Sequence, residues 1–195
     1  MPKAYLLDTN AYFNFLRYIT QANNPESIDE SVAKIKEGTN YISVISKIEI
    51  FSVIGKYARG KNGGKQKCNC IISESGERCP HYQYISGQAR WNKEKIKRWR
   101  KLVNETLDGT SPVLNVNILP LSCEEISEAQ DIIEHALIHN FGSLDALIAA
   151  TAKTHNKNDK NVELHIVTSD KGLKACLEKC SLHYWDAFSL KTPAL

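Results

Sequence analysis

A chain of 195 residues with 42% apolar residues, an ordinary fraction for a globular protein, has enough to bury the core of one domain, with room for an insertion. No apolar run approaches the ~20 residues of a membrane-spanning helix, and Met-Pro-Lys leads at once into a strand-like run, so no secretory leader and a cytoplasmic location are expected. The net charge of +3 conceals an asymmetry, because residues 56–104 hold thirteen Lys or Arg against three Glu, a block suited to gripping a polyanion while the acidic remainder meets cations or a basic partner.

In chain order, residues 4–7 form a short apolar run that ends at Asp8 and reads as a buried parallel strand. Residues 9–18 are helical, with Tyr12, Phe15, Leu16 and Ile19 on one side, and Asn23, Asn24 and Pro25 break the pattern. A second helix over 28–37 stops at Gly38. A second strand covers 41–45, and Ser46 opens a helix to about residue 57. Residues 60–87 contain Gly63-Gly64 and no clean period, which fits a loop or a small metal-organised insertion. A helix resumes over 91–107, with Ile96, Trp99, Val103 and Thr106 on one face. Residues 113–119 are strand-like. Ser122 and Glu125 spell a capping box ahead of the stripe Ile126, Ala129, Ile133 and Leu137. Residues 140–143 turn, and Ser143 caps a helix that carries Asp145. A strand over 164–168 precedes Asp170, a short helix covers 172–180, and a last strand covers 182–185. Strands alternating with helices predict an α/β fold with a largely parallel sheet.

Ligand sites of open α/β sheets lie at the carboxyl ends of the strands. Asp8 follows the first strand directly, Asp170 follows the strand 164–168, and Glu49 and Asp145 fall in the first turns of helices. Four acids can thus gather at one sheet edge. Clustered carboxylates repel and are costly to desolvate without a cation; Mg²⁺ and Mn²⁺ favour such oxygen ligands and support phosphodiester hydrolysis. Each acid also has a plain structural role open to it. Glu49 sits where Ser46 would make it the third residue of a capping box, Asp145 complements a helix dipole, and Asp170 can be an N-cap. Asp8, at the end of an apolar strand, is the hardest to explain structurally.

The residues around these acids narrow the choice. Leu6-Leu7-Asp8-Thr9-Asn10 resembles the opening of PIN domains, especially the VapC-type toxins of bacterial toxin–antitoxin pairs. Ile42-Ser43-Val44-Ile45-Ser46-Lys47-Ile48-Glu49 resembles the second acidic motif of that family, Ser143-Leu144-Asp145-Ala146-Leu147-Ile148-Ala149-Ala150-Thr151-Ala152 the third, and Ile166-Val167-Thr168-Ser169-Asp170 the fourth. The resemblance, in family order over about residues 4–185, implies a three-layer PIN-like fold with a central mainly parallel sheet flanked by helices. It implies a Mg²⁺- or Mn²⁺-dependent ribonuclease whose acidic site is Asp8, Glu49, Asp145 and Asp170, supported by Asn10 and Thr168. RNA is the implied substrate, and a small antitoxin and a homodimer are partners common in that family.

Residues 60–90 have no counterpart in the family pattern, so the chain reads as one PIN-like domain over 1–195 with an insertion. Cys68-Asn69-Cys70 and Cys79-Pro80-His81 are mirrored pairs. Three thiolates and an imidazole suit tetrahedral zinc, although the one-residue spacing is tighter than usual; the alternative is a disordered basic loop with free thiols. Cys123, Cys176 and Cys180 lie on helices and read as core or incidental thiols. Lys65, Lys67, Arg78, Arg90, Lys93, Lys97, Arg100 and Lys101, with Tyr82, Tyr84, Trp91 and Trp99 among them, form a candidate surface for single-stranded RNA; basic helices are more usually plain solvated faces. A P-loop is not supported at 60–65, where Gln66 stands in place of Ser or Thr, and a phosphatase of the haloacid-dehalogenase type would need a second Asp at Asn10. The competing reading is a zinc-bearing RNA-binding module on a PIN scaffold that no longer cuts.

Overall fold

Strand β1 (Lys3–Leu7) is flanked by two parallel partners, β2 (Thr39–Ser43) and β6 (Glu163–Val167). The computed structural model describes residues 3–21, 30–61, 63–67, 75–76, 80–85 and 87–187. These divide into two compact units, Met1–Ile50 with Leu102–Leu195, and Phe51–Lys101.

The first unit is built on a five-stranded sheet of order β5-β2-β1-β6-β7, parallel throughout, in which β5 is Asn117–Leu119 and β7 is Tyr184–Trp185. Alternation along β1 sorts its side chains to two faces. Ala4 and Leu6 join Leu164 and Ile166 of β6 in a core with α5 (Cys123–Ile133), α6 (Ser143–Asn158) and α7 (Lys171–Lys179). Ala149, Ala150 and Ala152 are buried there, and these small side chains bring α6 close to the sheet. Tyr5 and Leu7 point the other way. On that side Gly38, which ends α2 (Glu30–Glu37), lies so near Tyr5 that an added Cβ would sit 2.6 Å from its ring. Tyr12, Phe15 and Leu16 of α1 (Thr9–Gln21) are fully buried, and burial of Phe15 and Leu16 stabilises the fold by on the order of 1.5–3 kcal/mol each. The Tyr12 hydroxyl meets Thr106, whose own hydroxyl donates to the Val103 carbonyl at 2.8 Å, so Thr106 accepts from Tyr12. This bond ties α1 to the last turn of α4 (Lys93–Leu107).

Several expected boundaries shift for identifiable reasons. The second strand is 39–43, not 41–45, and α3 (Val44–Arg59) starts two residues before Ser46. The Ser43 hydroxyl accepts the Ser46 N–H at 3.0 Å, so Ser43 caps the helix and overrides the β-branched pair Val44-Ile45. Residues 113–116 are not strand, because Ser111 Oγ takes the N–H groups of Val113 and Leu114 and the Val116 N–H donates to Thr106. Ser122 and Glu125 do form the capping box. The stripe beyond it holds in part: Ala129 is buried and Ile133 packs against the core, but Ile132 is buried in place of the exposed Ile126, and the helix tightens into a 3₁₀ turn (Glu134–Leu137) that leaves Leu137 91% exposed. Gly142, not Ser143, is the N-cap of α6, and the final strand is only two residues.

In the second unit, β3 (Gly64–Lys67) and β4 (Tyr82–Ile85) pair antiparallel, and Lys61 and Gln88 extend the ladder with two backbone bonds of 2.9 and 2.7 Å. A hairpin therefore occupies a stretch whose polar composition hid it; Tyr82 and Tyr84, two apart, were its one period-two signal. Tyr57 stacks on Trp91 at 4.3 Å, Trp99 lies 5.5 Å from Trp91, and the Lys95 ammonium sits 4.7 Å from the Trp91 ring. Trp91 thus packs within this unit. Among the described residues no helix is long and apolar enough to cross a membrane.

Candidate active site

Asp8 is the centre of the site. It is 4% exposed at the end of β1, and its Oδ1 accepts the Ala11 N–H of α1 at 2.5 Å. Burial pushes its carboxyl up to about 6; the bonds from Ala11 and the Thr168 side chain oppose that rise, and the charges of Asp145 and Asp170 add to it. Thr168 is fully buried and also accepts the Asp170 N–H at 3.1 Å, linking the two acids.

Asp145 is the third residue of α6, and its Oδ2 accepts the N-cap Gly142 N–H at 2.9 Å. Burial raises its carboxyl, the Gly142 bond opposes this, and repulsion from Asp170 and Glu49 adds to it. Asp170 caps α7 through Oδ1, which accepts the Leu173 N–H at 2.8 Å. The cap is held close to the body of the domain: a Cβ on Gly172 would lie 2.0 Å from the Asn140 carbonyl oxygen. Glu49 lies in α3, half-buried, and accepts a hydrogen bond from Thr9 Oγ1 at 2.6 Å. With Ser43 as the cap, Glu49 is not a capping-box residue, and its partner comes from α1. The four acids thus form one electrostatically connected group: Asp8 feels Asp145 and Asp170, and Asp145 feels Asp170 and Glu49.

Asn10 is exposed on the first turn of α1, next to the buried Thr9 that engages Glu49. Thr9 was missed in sequence although it adjoins Asp8; its position in the first motif was the available signal. Lys65, Arg90, Lys93, Lys97, Arg100 and Lys101 are exposed in the second unit, and Arg90 Nε also donates to the Ala58 carbonyl at 2.9 Å. His81 is exposed. Cys68, Cys70, Cys79 and Arg78, and the Lys67 side chain, lie outside the described residues. Cys176 is core, Cys180 is partly buried and Cys123 is exposed.

The donor set fits a hard divalent cation: it is all carboxylate oxygen, and its buried member, Asp8, feels the charges of two further acids. Among the described residues no three His, Cys, Asp or Glu side chains are gathered into a ready ligand group. The fit therefore lies in donor chemistry.

The PIN domain family profile matches residues 5–176. The chain belongs to the PIN domain family. PIN domains are generally nucleases that use a divalent metal such as Mg²⁺. Among solved structures, the chain is similar to FitAcB from Neisseria gonorrhoeae at 18% identity and a TM-score of 0.50, covering 95% of this PIN chain and 99% of the other. It also matches VapBC2 from Rickettsia felis bound to a DNA fragment from their promoter, with 16% identity, TM-score 0.49, and 93% and 97% of the two chains covered. A third match is a toxin-antitoxin complex from Klebsiella pneumoniae, with 16% identity, TM-score 0.46, and coverage of 94% and 98%. No curated protein sequence matches.

Proposed function

We propose that this PIN-domain protein is a Mg²⁺- or Mn²⁺-dependent endoribonuclease and the toxin of a toxin–antitoxin pair. The observation that carries the catalytic reading is the buried Asp8 carboxyl, raised by burial and by Asp145 and Asp170 at the carboxyl edge of the parallel sheet. A charged group is kept there at a cost to stability, which is the expectation for a site and not for packing. Asp8, Glu49, Asp145 and Asp170 would hold the cation, which supplies Lewis-acid stabilisation of phosphate charge and an activated water. Thr168 fixes Asp8 relative to Asp170, and Thr9 orients Glu49. The toxin reading rests on the likeness of the four motifs to VapC-type proteins, and an antitoxin and a second copy of the chain are the partners it entails.

The test is cleavage of an unstructured RNA, with single-stranded DNA as control, by the parent, Asp8→Asn and Asp145→Asn proteins. The parent should cut RNA in Mn²⁺ and stop in EDTA, and each variant should lose at least about a hundredfold in rate. Equal rates for parent and both variants would overturn the site. Expression of the parent should arrest growth, with Asp8→Asn relieving the arrest; harmless expression of active parent removes the toxin reading alone.

A further inference from the structure

The loop between β6 and α7 holds two groups of the site, Thr168 and Asp170, with Ser169 between them. Ser169 Oγ donates to Asp186 Oδ1 at 2.8 Å. The other Asp186 oxygen pairs with the Lys174 ammonium, one turn into α7. Asp186 directly follows β7, as Asp8 follows β1, so it is a further acid at the carboxyl edge of the sheet. The Thr168 N–H donates to the Trp185 carbonyl at 3.1 Å, which sets the loop against the end of β7. Asp186 and Lys174 are only 15% and 21% exposed, so their pairing is weakly screened.

We propose that Asp186 is a positioning residue of the acidic site, clamping Ser169 and Lys174 so that Thr168 and Asp170 stay turned toward Asp8. The inference rests on the cation-binding reading above. Asp186 differs from the four acids in having one oxygen engaged by a hydroxyl and the other by an ammonium, which suits it to orient and not to ligate. Its second effect is electrostatic. Lys174 is the residue after Leu173, whose N–H Asp170 caps, and its own N–H donates to the Asp170 carbonyl at 3.0 Å. Without Asp186 the Lys174 ammonium is released beside a cluster of carboxylates, where it competes with a divalent cation for their charge.

The experiment is a Mn²⁺ titration of the melting temperature, which needs no turnover, run on parent, Asp186→Ala, Ser169→Ala and the Asp186→Ala/Lys174→Met pair. Asp186→Ala should need on the order of tenfold more Mn²⁺ for the same rise in melting temperature. Ser169→Ala should shift the titration the same way by less, and Lys174→Met should restore most of the loss in the double variant. A role in folding alone would lower the melting temperature in EDTA and leave the Mn²⁺ response unmoved, and that outcome overturns the proposal. So does a parent-like titration in Asp186→Ala, or, where that variant does not fold, in Ser169→Ala. A parent that ignores Mn²⁺ defeats the cation reading itself and this inference with it, whereas a responsive parent with equally responsive variants defeats this inference only.

Discussion

Asp8→Asn should make the cation-free protein more stable while abolishing its activity. The parent carboxyl is raised from 3.8 to about 6 in the folded chain, chiefly by burial. At about 1.4 kcal/mol per pH unit, that rise costs about 3 kcal/mol of folding stability once the group is ionised in both states. With the side chain 4% exposed, solvent screening takes little from this figure. A raised folded-state value means that the folded chain holds its proton more tightly than the unfolded one. The penalty is therefore full above about pH 6, shrinks through the window from 6 to 3.8, and is absent below it. Asparagine keeps an acceptor for the Ala11 N–H and brings an amide that needs a partner, so the net gain should be roughly 1–3 kcal/mol at pH 7. For a chain of this size that is about 2–12 °C in melting temperature. The assay is thermal and urea unfolding of parent and variant in EDTA at pH 7 and pH 4, repeated with Mn²⁺. The variant should lead at pH 7, lose its lead toward pH 4, and gain less than the parent from Mn²⁺. A variant less stable than the parent at pH 7 in EDTA, or a gap independent of pH, would refute the reasoning.

Thr9→Val removes the donor to Glu49 and should cost about 1 kcal/mol of stability with roughly a tenfold loss of cleavage rate, read by urea unfolding and by RNA cleavage in Mn²⁺. Gly172→Ala places a Cβ against the Asn140 carbonyl and should destabilise the fold by about 1–3 kcal/mol, measured by the urea midpoint. Tyr12→Phe leaves the buried Thr106 hydroxyl without its donor and should cost about 1 kcal/mol, seen in the same measurement. Elemental analysis of protein purified without chelators or a histidine tag should find about one zinc per chain, lost in Cys68→Ser/Cys79→Ser, as one four-ligand set entails; zinc-free parent protein would remove that assignment.

The family and the fold were legible in the sequence because the acids stand at element ends and within short motifs. A strand of a few apolar residues ending in Asp, and a helix opening with Ser-Leu-Asp-Ala, each carry their meaning within ten residues, and so did the alternation that made the fold α/β. Helix registers were less legible. Ser46 reads as the cap from sequence, and the bond from its own N–H to the Ser43 hydroxyl moves the cap to Ser43, which releases Glu49 from capping. The stripe through Ile126 and Leu137 had the right period but was rotated on the helix, since period alone does not say which of two neighbouring faces meets the sheet. What needed tertiary structure was everything that joins distant residues. The strand order placing β1 between β2 and β6, the bond from Thr9 to Glu49 across forty positions, and Asp186 reaching back to Ser169 arise only when the chain closes on itself. Local propensity is set by neighbours along the chain, whereas the charge felt by Asp8 is set by neighbours in space.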